Sequence, residues 1–194
     1  FWGDNGGSGG LAVANVSLSG SGRLEISDSF CMNMFGCGAM VYESLRVSGQ
    51  AEVVIRNITG GTGRCEGGGV WVTTAVVSED ARVTVEDVVL NGDFSGGAGI
   101  QVSEGFTVSD RGKVVVRRTR TLGKESRGGA ISAIGSATRF LVLDSGLVEI
   151  EDASTRSQAS EGGGVFVQGF LGIGAGAAVM VRNSSTRGDE PQTE

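Results

Sequence analysis

No histidine occurs in this chain, which removes Ser-His-Asp and Cys-His nucleophilic catalysis together with the commonest zinc ligand. Carboxylates are the remaining acid–base chemistry. Glu86/Asp87 and Glu151/Asp152 are adjacent pairs, and glycoside hydrolysis needs two carboxylates flanking one bond. Neighbours along a strand point to opposite faces, so the members of each pair are expected to diverge. Asp87 and Asp152 share a repeat position with Arg118 between them, an arrangement that reads as structural. The segment Gly172-x-Gly174-x-x-Ala177 has the letters of a dinucleotide fingerprint. That motif opens a helix, whereas Val179-x-Val181 continues here as strand. No catalytic, cofactor-binding or metal-ligating residue is assigned, and neither a cofactor nor an enzymatic activity is expected.

Three cysteines leave an odd one. Cys31 and Cys37 share one loop and Cys65 lies in the next. A Cys37–Cys65 link between neighbouring coils fits this spacing and leaves Cys31 free or bonded to another chain. Asn15-Val-Ser17, Asn57-Ile-Thr59 and Asn183-Ser-Ser185 are N-glycosylation sequons. Asn57 and Asn183 fall on one turn position, where a glycan would be exposed, and this favours an extracellular eukaryotic origin. Val41, Trp71, Gln101, Ser132 and Phe166 are read as the outward residues of one strand row. Exposed aromatics serve as sugar platforms or partner contacts, so Trp71 and Phe166 are candidate glycan or partner contacts unless a loop covers them.

The elements that must position these residues come from a repeat. The stretch Ala51–Val72 reads as a small residue, Val53, Ile55 and Asn57, then nine turn-prone residues and a glycine cluster opening onto Val70-x-Val72. The small residue recurs at Gly22, Ala51, Ala81, Gly112, Gly146 and Ala177, and self-similarity at this period means a solenoid, propeller or array. Apolar residues recur two and four places after it, as in Val53 and Ile55, and six and four places before it, as in Leu45 and Val47. A third strand is placed at Leu11, Met40, Val70, Ile100, Ile131 and Val165. Alternating apolar positions broken by turns describe strands with one buried face. The largest excursion, Gly135 to Arg139, is expected as a protruding turn. Glycine in every segment argues against helix, at about 1 kcal/mol per position relative to alanine.

The expected fold is all-β: a right-handed parallel β-helix of about six coils of roughly 30 residues, with three short strands per coil. Residues 1–187 form one domain and 188–194 a polar tail. Five places after the small residue stand Arg56, Glu86, Arg117, Glu151 and Arg182. Their signs alternate coil by coil, and in a parallel stack such a ladder favours one register. The next row, Asp28, Asn57, Asp87, Arg118, Asp152 and Asn183, reads as a ladder of turn residues in preference to a calcium site, which needs several converging oxygens.

A formal net charge of −6 and no evident concentration of Lys and Arg exclude a nucleic-acid partner. No apolar run is long enough for a transmembrane helix. No signal peptide is visible and the chain begins at Phe1, so it is read as a mature or excised piece. Gly128-Gly129-Ala130-Ile131, with the GGGV variants ending at Val70 and Val165, resembles the GGAI repeats of polymorphic-membrane-protein-like β-helix proteins; the companion FxxN motif is replaced by Ile55-x-Asn57 and its equivalents. The resemblance implies a β-helix and a surface, secreted or adhesive role. Neither end carries a helix or charged strand to cap the stack. The function expected is therefore a non-enzymatic extracellular or cell-surface structural or adhesive module, part of a larger chain or assembly, with other chains at its ends or outer loops and glycans as candidate partners. The alternative is a carbohydrate-binding or carbohydrate-active β-helix like the pectate lyases, for which the rows supply no groove of clustered carboxylates or arginines.

Overall fold

A computed structural model gives the fold and describes residues 9–32, 35–157 and 159–188. Among these residues there is no helix, and every strand pair is parallel. The chain winds as a β-solenoid of about six turns with roughly 31-residue spacing. The strands stack into three sheets of eight, seven and four strands.

The coils are numbered here by their strands in the seven-stranded sheet. These are Arg23–Cys31, Glu52–Gly60, Arg82–Leu90, Lys113–Leu122 and Leu147–Ser157, then Ala178–Arg182 with Ser185–Gly188 in the sixth. The apolar rows stack in register. Leu24, Val53, Val83, Val114, Val148 and Val179 form one column. Ile26, Ile55, Val85, Val116, Ile150 and Val181 form the next. In the eight-stranded sheet, Val16, Leu45, Ala75, Phe106, Phe140 and Leu171 stack likewise. Phe106 and Phe140 face each other at 4.7 Å between ring centroids. These columns are the core, because valine and isoleucine on alternate positions can be buried only from one side of a pleated strand.

Each strand of the seven-stranded sheet bends at one residue. Asp28, Asn57, Asp87, Arg118, Asp152 and Asn183 all have φ between 49° and 56°, the left-handed conformation that Asn and Asp tolerate best. The predicted turn ladder is therefore a column of left-handed residues. Asn57 donates to Asp28 at 3.1 Å, and Arg118 grips Asp87 with two bonds of 2.7 and 2.8 Å.

One row differs from the sequence reading. The third-strand column runs Leu11, Ala39, Val70, Ile100, Ile131, Val165, so Met40 stands in the outward column with Trp71, and Val41 stacks inward on Val72. The cause is the first loop. From Cys31 to Ala39 is 8 residues, whereas the equivalent Gly60 to Val70 is 10. Gly36, Gly67, Gly97, Gly128 and Gly162, each three residues before the column, all have φ between 52° and 61°. Gly36-Cys37-Gly38-Ala39 is thus the first copy of the glycine motif, with cysteine in place of its second glycine.

The turn at 134–138 interrupts the eight-stranded sheet between Ile131–Ala133 and Arg139–Val142. It is pinned by Thr138 Oγ1, which donates to the Ser103 carbonyl at 2.8 Å or the Ile134 carbonyl at 2.9 Å. Gly188 closes the last strand, and the rest of the predicted tail lies outside the described residues.

Candidate functional site

Parallel stacking brings residues one repeat apart to within a rung, about 4.8 Å, so the outer surface is a set of columns. In the predicted charge ladder, Arg56, Glu86, Arg117, Glu151 and Arg182 occupy one column. Within it Arg117 pairs with Glu86 at 2.6 Å. Arg56 instead reaches Glu25 at 2.6 Å, and the Arg182 guanidinium lies 3.7 Å from the Met180 sulfur. The Arg23–Glu52 pair lies within another column, and Lys113 of that column reaches across to Glu149, which stacks on Val115, at 2.7 Å.

Glu151 and Asp152 line separate grooves, but the other carboxylate pair does not diverge. Glu86 and Asp87 both accept from Arg118, at 3.0 and 2.8 Å, because the left-handed residue at 87 breaks the alternation of faces that an unbent strand would keep. The hydrogen-bonded Arg118 guanidinium holds the Asp87 carboxyl below its ordinary range, and its own ionisation is pushed upward by the same bonds. Two carboxylates locked onto one guanidinium make a structural clamp. Among the described residues, no group of three or more metal-ligating side chains converges.

The predicted Cys37–Cys65 link is replaced by a disulfide between Cys31 and Cys37, with Cα atoms 5.3 Å apart. The stacking register explains this. Phe35 pairs with Glu66, and Gly38 donates to the Gly68 carbonyl, so Cys37 lies below the glycine cluster of the second coil and not below Cys65. Cys65 is a buried thiol in the inward column shared with Ser95, and its Sγ donates to the Gly61 carbonyl at 3.5 Å.

Trp71 and Phe166 are both half-buried. Phe35, from the first loop, packs against Trp71 with ring centroids 5.8 Å apart, and Arg64 lies over Phe35 at 5.1 Å. Arg127 covers Phe166 at 5.7 Å. Between the two aromatics in the column, Gln101 and Ser132 are buried, and the Gln101 amide donates to Glu66. The adjoining groove, about 540 Å³, is walled by Arg64, Glu66, Asp93, Glu125 and Arg127, so charged groups and not the aromatics face its solvent. The three sequon asparagines Asn15, Asn57 and Asn183 are exposed, with the Asn15 amide donating to Glu43 at 2.7 Å.

A second groove, of about 830 Å³, lies in the angle of the bent sheet across the third to sixth coils. Arg118, Arg120, Arg156 and Arg187 line it with Asp87 and Asp152. Sequence reasoning missed this cluster because Arg120 lies in a different column from Arg156 and Arg187, which stack on each other in the last two coils alone. Arg120 stacks on Ser154, and Arg156 stacks between Leu122 and Arg187. The available signal was the left-handed row itself, since the residues two and four places after it share the outer face of the second arm.

No known protein family, curated protein or solved structure matches the chain.

Proposed function

We propose that the chain is a non-enzymatic structural or adhesive module of an extracellular or cell-surface assembly, extended by stacking coil on coil. One observation carries this reading. In the sixth coil the inward columns are open: Val181 is 48% exposed, Ile173 52% and Leu171 48%, while their neighbours one rung down, Ile150, Val142 and Phe140, are 1%, 0% and 0%. Leu24, Ile26, Val16 and Leu18 at the opposite end are likewise only partly buried.

The occupant we propose is a further coil of the same repeat, supplied by a longer chain or by a second copy joined head to tail; the second copy is the version that sedimentation tests. Continuing each column would set Val181 on Ile26, Ile173 on Leu18 and Asn183 on Asp28, the last repeating the Asn57–Asp28 pair found inside the stack. Backbone edges would continue the parallel ladders in the same step. A Cys31–Cys37 disulfide supports an oxidising compartment, as do three exposed sequons, and the GGAI-type repeats support kinship with surface β-helix proteins of the polymorphic membrane protein type.

Sedimentation velocity over a wide concentration range tests the reading. The wild-type chain should associate into linear species, and Val181→Arg with Ile173→Arg should abolish association while leaving the monomer's thermal transition in place. A strictly monomeric wild-type chain at all concentrations removes the assembly reading.

A further inference from the structure

The groove in the angle of the bent sheet is a concentration of positive charge on an acidic protein. Four arginines and two aspartates line it, whereas the chain as a whole carries a formal net charge of −6. The clamp described above consumes Arg118, whose guanidinium is held by Asp87 and Glu86. Arg120 and Arg187 are exposed, and among the described residues no carboxylate lies within ion-pair distance of either. Arg156 stands between them, directly below Arg187 in the stack.

We propose that this groove binds an anionic polysaccharide, one carrying carboxylate or sulfate groups along a hydroxylated chain. Three features select that class. Guanidinium groups present paired donors to planar or tetrahedral anions, and Arg156 and Arg187 stand one rung of about 4.8 Å apart in one column with Arg120 in a column beside them, which sets anchors along an extended ligand. Ser154, Ser185 and Asn183 supply neutral donors and acceptors between the arginines, and Asp152 an acceptor; these suit sugar hydroxyls. Nucleic acid is disfavoured, because no aromatic side chain lines the groove for base stacking. The site lies along the side of the stack, and its Asn183, Ser185 and Arg187 belong to the sixth coil.

The test uses the full chain from a host that adds no N-glycans, so that Asn183 is bare. Binding is measured against dextran sulfate, polygalacturonate, neutral dextran, an oligo-thymidylate and phosphatidylserine vesicles. Dextran sulfate, polygalacturonate or both should bind and neutral dextran should not; which of the two binds tells sulfate from carboxylate. Affinity should fall with added salt, and Arg120→Gln with Arg187→Gln should weaken it at least about tenfold and reduce the salt slope by about two. Arg46→Gln with Arg139→Gln, exposed arginines of the eight-stranded sheet, is the control for non-specific charge and should leave affinity unchanged. The proposal is overturned by no binding to either acidic polymer, by equal loss in the control pair, or by equal or tighter binding of the oligo-thymidylate or the vesicles. Circular dichroism of each variant establishes that a loss is not misfolding.

Discussion

The left-handed column is the residue-scale device on which the cross-section of this solenoid depends. Asn57 holds φ at 54° with its side chain in solvent, so the position demands backbone tolerance and not burial. Replacing it by valine, whose branched Cβ opposes that conformation, should destabilise the fold by about 1–3 kcal/mol, whereas Asn57→Gly should change stability by far less. Urea unfolding of the two variants beside wild type measures the difference. Arg118 is the one cation in this column, and it is tolerated because Asp87 and Glu86 hold it.

Acid sensitivity follows from the same contacts. The hydrogen bond from Arg118 depresses the Asp87 carboxyl, and those from Arg23 and the charge of Arg56 depress Glu25. A carboxyl with a folded pKa below its unfolded value stabilises the fold above the unfolded pKa, and that contribution is lost as pH falls through the folded value. The urea midpoint should stay level from neutrality to about pH 5 and decline below about pH 4. In Arg118→Gln the decline should be shallower. Added salt should also shrink it, since these groups are exposed and screened.

At the scale of elements, stability lies in the columns. Phe106 and Phe140 are stacked in one of them and almost fully buried, with Ala75 on the rung below Phe106. Large and small residues thus share a column, and a coil's size at that corner is set jointly with its neighbours. Phe106→Ala should cost about 3–5 kcal/mol, and the double-mutant cycle with Phe140→Ala should show coupling of about 0.5–1.5 kcal/mol from the ring contact, read by chemical denaturation. Most columns were legible because each is a run of valine, isoleucine or leucine at one repeat position. The misplaced members, Met40 and Val41, fall after the one loop that is two residues short. There the glycine motif carries Cys37 in its second place, and a frame counted from the small residue alone slides by one.

At the scale of the whole molecule, nearest-neighbour stacking of the described residues leaves the inward columns of the first and sixth coils partly exposed, beside a continuous lateral surface. The ends are apolar at their inward columns, which is why association is expected to respond to Val181→Arg and Ile173→Arg. The lateral surface carries the arginine groove, and there the response is expected to follow Arg120 and Arg187. The two surfaces are separable by experiment, since one set of changes alters sedimentation and the other ligand affinity.

The amino-acid sequence by itself determined the period, the parallel stacking, the inward columns and the row of turn residues, because each is a local rule of alternation or backbone tolerance repeated in every coil. It did not determine what shares a surface across the bend. The alternation rule places Glu86 and Asp87 on opposite faces, and only the left-handed residue in its tertiary setting turns both toward Arg118. The disulfide was likewise decided by register, since the short first loop carries Cys37 beneath the glycine cluster and leaves Cys31 as the partner within reach. The arginine groove belongs to the tertiary structure for the same reason: Arg120 stands in a different column from the stacked Arg156 and Arg187, and folding the sheet at its bend is what makes them one surface.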